Sequence, residues 1–413
     1  MISLDDAKRY VLDRVAVMAP SFVGLDDVVG GVLAQPVVSA VAVPPFANTA
    51  MDGFAVRSAD VVDVPVTLDV TGSIAAGSVA GSAIGAGEAM RIMTGAPIPR
   101  GADAVVMVER CTVVTDPTTG LERVTVDLSV SAGNHIRVVG DDIAIGDEVL
   151  SAGTAVTPGV LGVLCTLGLT GAIVHGRPTV GVMSTGDELV EPPHELGAGQ
   201  IYDSNRRTIM ALVARSGFDV IDLGPIRDDE SAIEDALLDA AARCDAIITS
   251  GGVSMGDYDY VKVVLDRIGD MRWMQVAIKP GKPLAFGTIR THDTAGGDRT
   301  VPVFGLPGNP VSSMVSFELF ARPALRKMAG HRALDRRVLA ATALVDFPRR
   351  ADGKIHLPRV TVTSAEDHRL LVQHSGGQGS HHTASMAHAD ALVILPDGEG
   401  VAAGESVGVM LLD

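Results

Sequence analysis

Lysine, cysteine, aromatic residues and long hydrophobic runs are all scarce in this chain of 413 residues. Its three cysteines, Cys111, Cys165 and Cys244, are widely spaced and form no paired metal or redox motif, so a reduced compartment fits best. No apolar run approaches the roughly 18 residues of a membrane span. Acids at Asp5 and Asp6 stand where a signal peptide would be basic. We therefore predict a cytoplasmic protein with no membrane partner.

Positive charge is also scarce, because 33 Lys and Arg face 50 Asp and Glu and leave a net charge of -17. Such a chain repels polyanions, so nucleic acid is not an expected partner. Only six of the basic residues are lysines, and Lys279 and Lys282 share one short turn. Pro280 and Gly281 hold the two ammonium groups near each other. The pair either faces a common anion or is a pair of exposed loop lysines, and the scarcity of lysine elsewhere favours the anion.

The length and the residue patterns predict several domains. Residues 46–138 contain short β segments broken by Gly and Pro, which indicates an inserted β-rich lid domain between residues 1–45 and 139–170. Residues 171–328 alternate strands and helices, as in a mostly parallel sheet with helices on both faces. Residues 329–413 return to β periodicity. The predicted fold class is multidomain α/β, with a mixed N-terminal segment, a central α/β domain and a C-terminal domain resembling a β-barrel.

The stretch 247–259 predicts a buried strand, a glycine-rich turn and the start of a helix. Gly251, Gly252 and Gly256 would let backbone amides approach a phosphate, at the edge of the sheet where ligands bind. Glycine-rich turns of this kind are also often mere tight connections. The turn alone leaves both interpretations open.

Two further turns are equally ambiguous on their own. The run 307–310, followed by Ser312, could present helix amides to an oxyanion or could be only a well-capped helix start. Thr94, beside Gly95, is either part of a turn or a hydroxyl offered to a ligand. His381 and His382 lack metal-ligand spacing with a cysteine, so a zinc site is not expected.

Acidic residues recur beside glycines and at predicted strand ends. Any one of them is typical of a solvated loop acid or a helix cap, whereas several in one cleft could hold Mg²⁺. The acids concerned are Asp52, Asp142, Asp187, Glu188, Asp228, Asp229, Asp257 and Asp259.

Seven blocks of the sequence together resemble the molybdopterin molybdenumtransferase family, to which the E domain of gephyrin also belongs. The resemblance is weakest in the last domain. The blocks occur in the order of the family and are residues 48–57, 92–97, 184–189, 199–205, 250–260, 278–283 and 305–312.

The resemblance implies an enzyme that inserts molybdenum from molybdate into adenylylated molybdopterin, releases AMP with help from Mg²⁺ and forms molybdenum cofactor. It also implies an elongated homodimer joined through residues 1–45 and 139–170, with each cleft shared between two subunits. Contact with the molybdopterin adenylyltransferase is a further implied interaction. Two alternatives stay open, namely the adenylyltransferase activity itself and a non-catalytic scaffold.

The resemblance also implies roles for individual residues. Asp52 and Thr94 would reach in from the partner subunit, and Glu188, Asp228 and Asp259 would complete the catalytic set. The implied Mg²⁺ ligands are Asp142, Glu188 and Asp228. The pterin phosphate would be bound by Ser250, Gly251, Gly252, Ser254 and Gly256. Molybdate would be received by Lys279, Lys282, Pro307 and Ser312, together with Arg359 and Ser380 of the last domain.

Overall fold

The computed structural model describes residues 1–251, 260–292 and 297–412 of the chain. It has the predicted class, a multidomain α/β fold with several sheets. The helices in the described ranges are Leu4–Leu12, Pro158–Thr166, Ser204–Arg215, Glu230–Arg243, Tyr260–Ile268, Pro310–Ser316, Arg322–Met328 and Thr383–Ala387, with shorter helical turns at Ser58–Asp60, Val108–Arg110 and Phe317–Ala321.

The N-terminal segment begins with an amphipathic helix. Its first turn is capped by Ser3, whose Oγ accepts a hydrogen bond from the Asp6 amide at 3.0 Å. Its buried residues Ala7 and Val11 pack into the core of the central domain. Chain flanking the insertion on both sides then pairs in two antiparallel ladders. These ladders join Pro20–Gly24 to Gly171–His175 and Val37–Val38 to Glu148–Leu150.

The inserted segment forms its own sheet, with a core around Phe54, Leu68 and Val106. In the described chain this inserted sheet has six strands. Their spatial order is Ala104–Met107, Gly53–Val56, Glu88–Ile92, Val66–Ile74, Glu122–Val126 and Cys111–Thr115. A short ladder of Asn48–Thr49 with Ile136–Arg137 closes its base, where the chain enters and leaves.

The central sheet is mixed, and also has six strands among the described residues. Their spatial order is Asp219–Ile226, Thr179–Thr185, Ala246–Ser250, Asp298–Leu306, Pro283–His292 and Gly269–Gln275. The first four strands are parallel to one another. Pro283–His292 runs antiparallel to its two neighbours, Asp298–Leu306 and Gly269–Gln275. The sequence patterns predict strands at residues 179–184, 220–223, 246–249 and 301–304, each within one of the four parallel strands, and none elsewhere in the sheet. The lysine turn therefore lies within the sheet region, between two strands that were missed.

The last domain is a closed five-stranded barrel in the described part of the chain, as its β periodicity predicted. Around the barrel the strands follow the order Val338–Ala343, Leu370–His374, Arg359–Ser364, Ala391–Ile394 and Ser406–Leu411. Its interior is filled by apolar side chains such as Val360, Val372 and Val409. A short strand of the barrel domain, Ile355–His356, pairs in parallel with Ile278–Lys279 and so fixes the barrel against the lysine turn. The remaining short pairs join Leu189–Val190 to Ile201–Tyr202 and Phe347–Pro348 to Gly400–Val401.

Candidate active site

A cleft of about 940 Å³ lies between the central sheet and the barrel. Six lysine and arginine side chains line it against one carboxylate, Asp352, although the chain as a whole is strongly acidic. The lining cations are Lys279, Lys282, Arg349, Arg350, Lys354 and Arg359. A concave and locally basic surface on an acidic protein concentrates small anions.

The lysine turn forms one wall of this cleft. Lys279 precedes a cis peptide bond to Pro280, and Gly281 follows with a φ of +95°. A Cβ at Gly281 would lie 3.0 Å from Ser316 Oγ, so both the backbone conformation and the packing favour glycine. Within the described residues, neither Lys279 nor Lys282 donates to a carboxylate or any other protein acceptor. Both ammonium groups therefore remain available to an anion.

The opposite wall is a loop that Arg359 supports from beneath. The Arg359 side chain is fully buried, and burial lowers the pKa of its guanidinium. Nη2 donates to the carbonyls of Gly377 and Gly379 at 2.6 and 3.1 Å, while Nε donates to Ser385 Oγ at 3.0 Å. Its Nη1 is buried without a hydrogen-bond partner. Arg359 thus places an uncompensated positive charge directly behind the loop that carries Ser380.

A helix start completes the inner end of the cleft. Helix Pro310–Ser316 begins after Asn309, as predicted, although the Asn309 side chain makes no capping bond. The Val311 amide donates to the Ser380 carbonyl at 3.1 Å and ties the helix to the barrel loop. Ser312 lines the cleft one residue later. Five of the predicted molybdate residues therefore line one cleft, namely Lys279, Lys282, Ser312, Arg359 and Ser380. Pro307 is buried and does not line it.

The outer rim of the cleft is organised by Asp352. Its oxygens accept from Arg349 Nη2 at 3.0 Å, Lys354 Nζ at 3.1 Å and His356 Nε2 at 3.1 Å. The hydrogen bond from His356 lowers the pKa of Asp352 to about 2, with Lys354 adding to the effect. Sequence reasoning missed this rim, because nothing in the spacing of these residues shows that a second domain covers the lysine turn.

A second cluster lies at the carboxyl ends of the parallel strands. Ser250 ends its strand in a buried position, its hydroxyl has no partner among the described residues, and Gly251 follows with a φ of +92°. A Cβ at Gly251 would come within 2.9 Å of the Thr185 carbonyl oxygen, so only glycine fits. This tight backbone approach is the arrangement that a phosphate-binding turn requires.

Three acids lie at the same edge of the central sheet. The Asp228 amide donates to Asp187 Oδ1 at 3.4 Å. Burial raises the pKa of the Asp228 carboxyl, and the negative charges of Asp187 and Glu188 raise it further. A cation would relieve this repulsion, so Glu188 and Asp228 are suitable oxygen donors for Mg²⁺.

Some predicted site residues lie beyond what the structure describes or away from the two clusters. Gly252, Ser254, Gly256 and Asp259 lie outside the described residues. Asp142 is held in the N-terminal segment by a backbone hydrogen bond to the Val43 carbonyl, at 2.9 Å. Across residues 1–251, 260–292 and 297–412, no group of three or more His, Cys, Asp or Glu is arranged to hold a metal. The predicted Mg²⁺ ligands therefore stay a prediction.

Asp52 and Thr94 lie side by side on the inserted domain. Asp52 Oδ1 accepts from both the amide and the hydroxyl of Thr94, each at 2.6 Å. These two hydrogen bonds lower the pKa of Asp52. The ambiguous turn at Thr94 thus fixes a carboxylate that stays ionised and accessible.

A buried ionic network, which the sequence patterns did not reveal, supports the acidic edge, the edge of the central sheet that carries Asp187, Glu188 and Asp228. The Arg206 side chain is 1% exposed and donates to Asp203 at 2.9 Å, and also to Asp222 and Glu191. Asp203 caps helix Ser204–Arg215 through a hydrogen bond from the Arg206 amide. It also accepts from Ser184, within the strand that leads to Glu188. The network therefore links a helix start to two strand ends.

With this geometry in place, comparison with known proteins decides the family. The chain is 36% identical to the molybdopterin molybdenumtransferase of Haemophilus influenzae, covering 99% of this chain and 98% of that protein. It is 38% identical to molybdopterin molybdenumtransferase 2 of Mycobacterium tuberculosis, covering 99% of each. The chain belongs to the molybdopterin molybdenumtransferase family. The resemblance stated from the sequence blocks is confirmed.

Family descriptions match three successive parts of the chain. The MoeA N-terminal region, domains I and II, matches residues 2–168, and the MoeA C-terminal region, domain IV, matches residues 341–412. Between them, residues 181–327 match a "Probable molybdopterin binding domain". The crystal structure of the molybdopterin biosynthesis moeA protein from Pyrococcus horikoshii OT3 superimposes with a TM-score of 0.81 at 29% identity, covering 100% of both chains.

Membership of the molybdopterin molybdenumtransferase family makes this chain a transferase of molybdenum cofactor biosynthesis. The N- and C-terminal regions match this family as well as the central domain, which favours it over the adenylyltransferase and scaffold alternatives. No helix among the described residues is long and apolar enough to cross a membrane.

Proposed function

We propose that this enzyme binds molybdate in the cleft between the central sheet and the barrel and transfers molybdenum to adenylylated molybdopterin bound at the acidic edge. The observation that carries the proposal is the unpaired lysine turn. Lys279 and Lys282 face a cleft that has excess positive charge, in a chain with a net charge of -17. A tetrahedral dianion would relieve the repulsion between the two ammonium groups.

The pterin substrate fits the other cluster. The turn at Ser250 and Gly251 would offer the Ser250 hydroxyl to its phosphate, and Glu188 and Asp228 follow strands that end at the same edge of the sheet. Mg²⁺ bound by these acids would screen the phosphoanhydride of the adenylylated substrate from the surrounding negative charge. The product would then be molybdenum cofactor, with AMP released.

The inserted domain points to a shared active site. Asp52 and Thr94 form a preorganised pair, yet they belong to a sheet separate from the one that carries Glu188 and Asp228. In an elongated homodimer, the pair of one subunit would reach the acidic edge of the other. Exposed apolar side chains on the N-terminal segment, such as Phe22 and Val38, are suited to a subunit contact. Delivery of the substrate by direct contact with the adenylyltransferase belongs to the same proposal.

A double substitution tests the molybdate role of the lysine turn. Replacing Lys279 and Lys282 by alanine removes both unpaired ammonium groups, so we expect molybdate-dependent release of AMP to fall by about a hundredfold or more. The matched control is Lys8→Ala, since Lys8 pairs with Asp335 and neither residue lines the cleft. Control and double variant should unfold at similar temperatures. Unchanged turnover in the double variant would rule the proposal out.

A further inference from the structure

We infer that the cleft discriminates between oxyanions by their protonation, accepting fully ionised tetrahedral anions and rejecting those that retain a proton. This inference rests on the proposed molybdate role of the cleft and specifies its chemistry. The structural basis is that the groups left free to meet an anion are hydrogen-bond donors, whereas the strong side-chain acceptors in the lining are already occupied.

The free groups are cationic. Lys279, Lys282 and Arg350 line the cleft, and within the described chain none of them makes an ion pair. Ammonium and guanidinium groups donate hydrogen bonds and accept none. The hydroxyls of Ser312 and Ser380 can turn to donate toward the same space.

The carboxylate and amide acceptors of the described lining are saturated, and His374 Nδ1, which has no partner among the described residues, is buried out of reach of the cleft. Asp352 is the one carboxylate among the lining residues, and its two oxygens receive hydrogen bonds from Arg349, Lys354 and His356. Gln378 supplies the one side-chain amide, and its Oε1 accepts from the Arg359 amide at 2.9 Å. Neither side chain is free to accept a hydrogen bond from a ligand.

The backbone carbonyls of the barrel loop are occupied as well. Arg359 occupies the carbonyls of Gly377 and Gly379, and the Val311 amide occupies that of Ser380 at 3.1 Å. On the facing wall, the Leu357 amide donates to the Lys279 carbonyl at 2.8 Å. Arg359 therefore has a second effect beyond its charge, because its hydrogen bonds occupy two carbonyl acceptors of the barrel loop.

This arrangement has a direct consequence for specificity. Molybdate, tungstate and sulfate present only acceptor oxygens, which match the free donors. Hydrogen phosphate has a similar shape but brings one O–H that must donate. With the carboxylate and amide acceptors occupied, that O–H is left with neutral serine hydroxyls or water, and a serine that accepts from it donates one hydrogen bond fewer to the anion. Binding therefore weakens by roughly tenfold.

The test compares two anions of nearly equal charge and shape. At about pH 8.5, sulfate and hydrogen phosphate both carry about two negative charges, and only phosphate keeps a proton. Each is titrated against molybdate bound to the full-length protein, followed by calorimetry. We expect sulfate to displace molybdate at concentrations about tenfold or more below those of phosphate. Equal competition by phosphate would overturn the inference, whereas failure of molybdate itself to bind would overturn the proposed function instead.

A matched pair of variants tests the cause. Ser380→Asp adds a free carboxylate acceptor to the cleft, and Ser380→Asn adds an amide of the same shape without the charge. We expect the Asp variant to lower the ratio of phosphate to sulfate competing concentrations by about tenfold relative to the Asn variant. An unchanged ratio in the Asp variant would show that the missing acceptor is not what excludes phosphate.

Discussion

Two adjacent arginines, Arg206 and Arg207, make the sharpest test of how the acidic edge is held together. Both form ion pairs with Glu191 and Asp222, but the Arg206 side chain is 1% exposed and that of Arg207 is 63% exposed. Arg206 also pairs with Asp203, whose side chain is 1% exposed. The two substitutions to alanine therefore remove the same charge from the same carboxylates at very different depths.

The expected magnitudes differ accordingly. Arg206→Ala leaves the buried Asp203 carboxylate without its counterion, which costs about 3 to 5 kcal/mol. Arg207→Ala removes a solvent-exposed pair and costs less than about 1 kcal/mol. Because a chain of several domains does not unfold in a single transition, the suitable measurement is hydrogen exchange of the strand Thr179–Thr185 and the helix Ser204–Arg215. Similar protection of these segments in the two variants would refute the reasoning.

The same network predicts a pH dependence. Burial alone would raise the pKa of Asp222, but the hydrogen bond and charge of Arg206 lower it overall. A carboxyl whose pKa is lowered by folding adds stability above its unfolded pKa and loses that stability as the pH falls through its folded pKa. We therefore expect the difference between wild type and Arg206→Ala to shrink below about pH 4. A difference that stayed constant to lower pH would contradict this explanation.

Three further changes follow from the geometry of the candidate site. Thr94→Val removes one of the two hydrogen bonds that lower the pKa of Asp52, so the acidic limb of the pH–rate profile should move to higher pH; an unmoved limb would separate Asp52 from catalysis. Asp228→Asn should raise the Mg²⁺ concentration needed for half-maximal turnover, and in wild type that requirement should rise as the pH falls toward the raised pKa of Asp228; equal Mg²⁺ titrations would remove Asp228 from the ligand set. Gly281→Ala should weaken molybdate binding by about tenfold in calorimetry through strain of the lysine turn, whereas Gly77→Ala, at a similar positive φ in open space, should leave it unchanged; intact binding in the first variant would show that the turn geometry is unimportant.

The fold could be predicted where local pattern and tertiary structure agree. Among the four parallel strands of the central sheet, Thr179–Thr185 and Ala246–Ser250 are β-rich and almost fully buried, whereas Asp219–Ile226 lies at the edge of the sheet and has no fully buried residue. The strands Gly269–Gln275 and Pro283–His292 were missed, because their polar residues and flanking proline obscure the pattern. They occupy the antiparallel side of the sheet, where only the pairing with each other and with Asp298–Leu306 defines them.

The candidate site could be predicted only in part, for a related reason. The scarcity of lysine in the chain and the close spacing of Lys279 and Lys282 identified the lysine turn. The family resemblance added Ser380 and Arg359. No pattern could show that Arg359 is buried beneath a loop, or that Asp352 accepts hydrogen bonds from three side chains, since both depend on how the barrel packs against the central sheet. Burial and pairing between domains are properties of the folded chain, so the sequence leaves them open.

The central claim is that molybdate binds between the lysine turn and the barrel loop. A crystal of the protein soaked with molybdate, with diffraction recorded at the molybdenum absorption edge, locates the metal directly. The account predicts an anomalous peak in the cleft, within hydrogen-bonding reach of Lys279, Lys282 and Ser380. A fully occupied peak elsewhere on the protein, with none in this cleft, would contradict it.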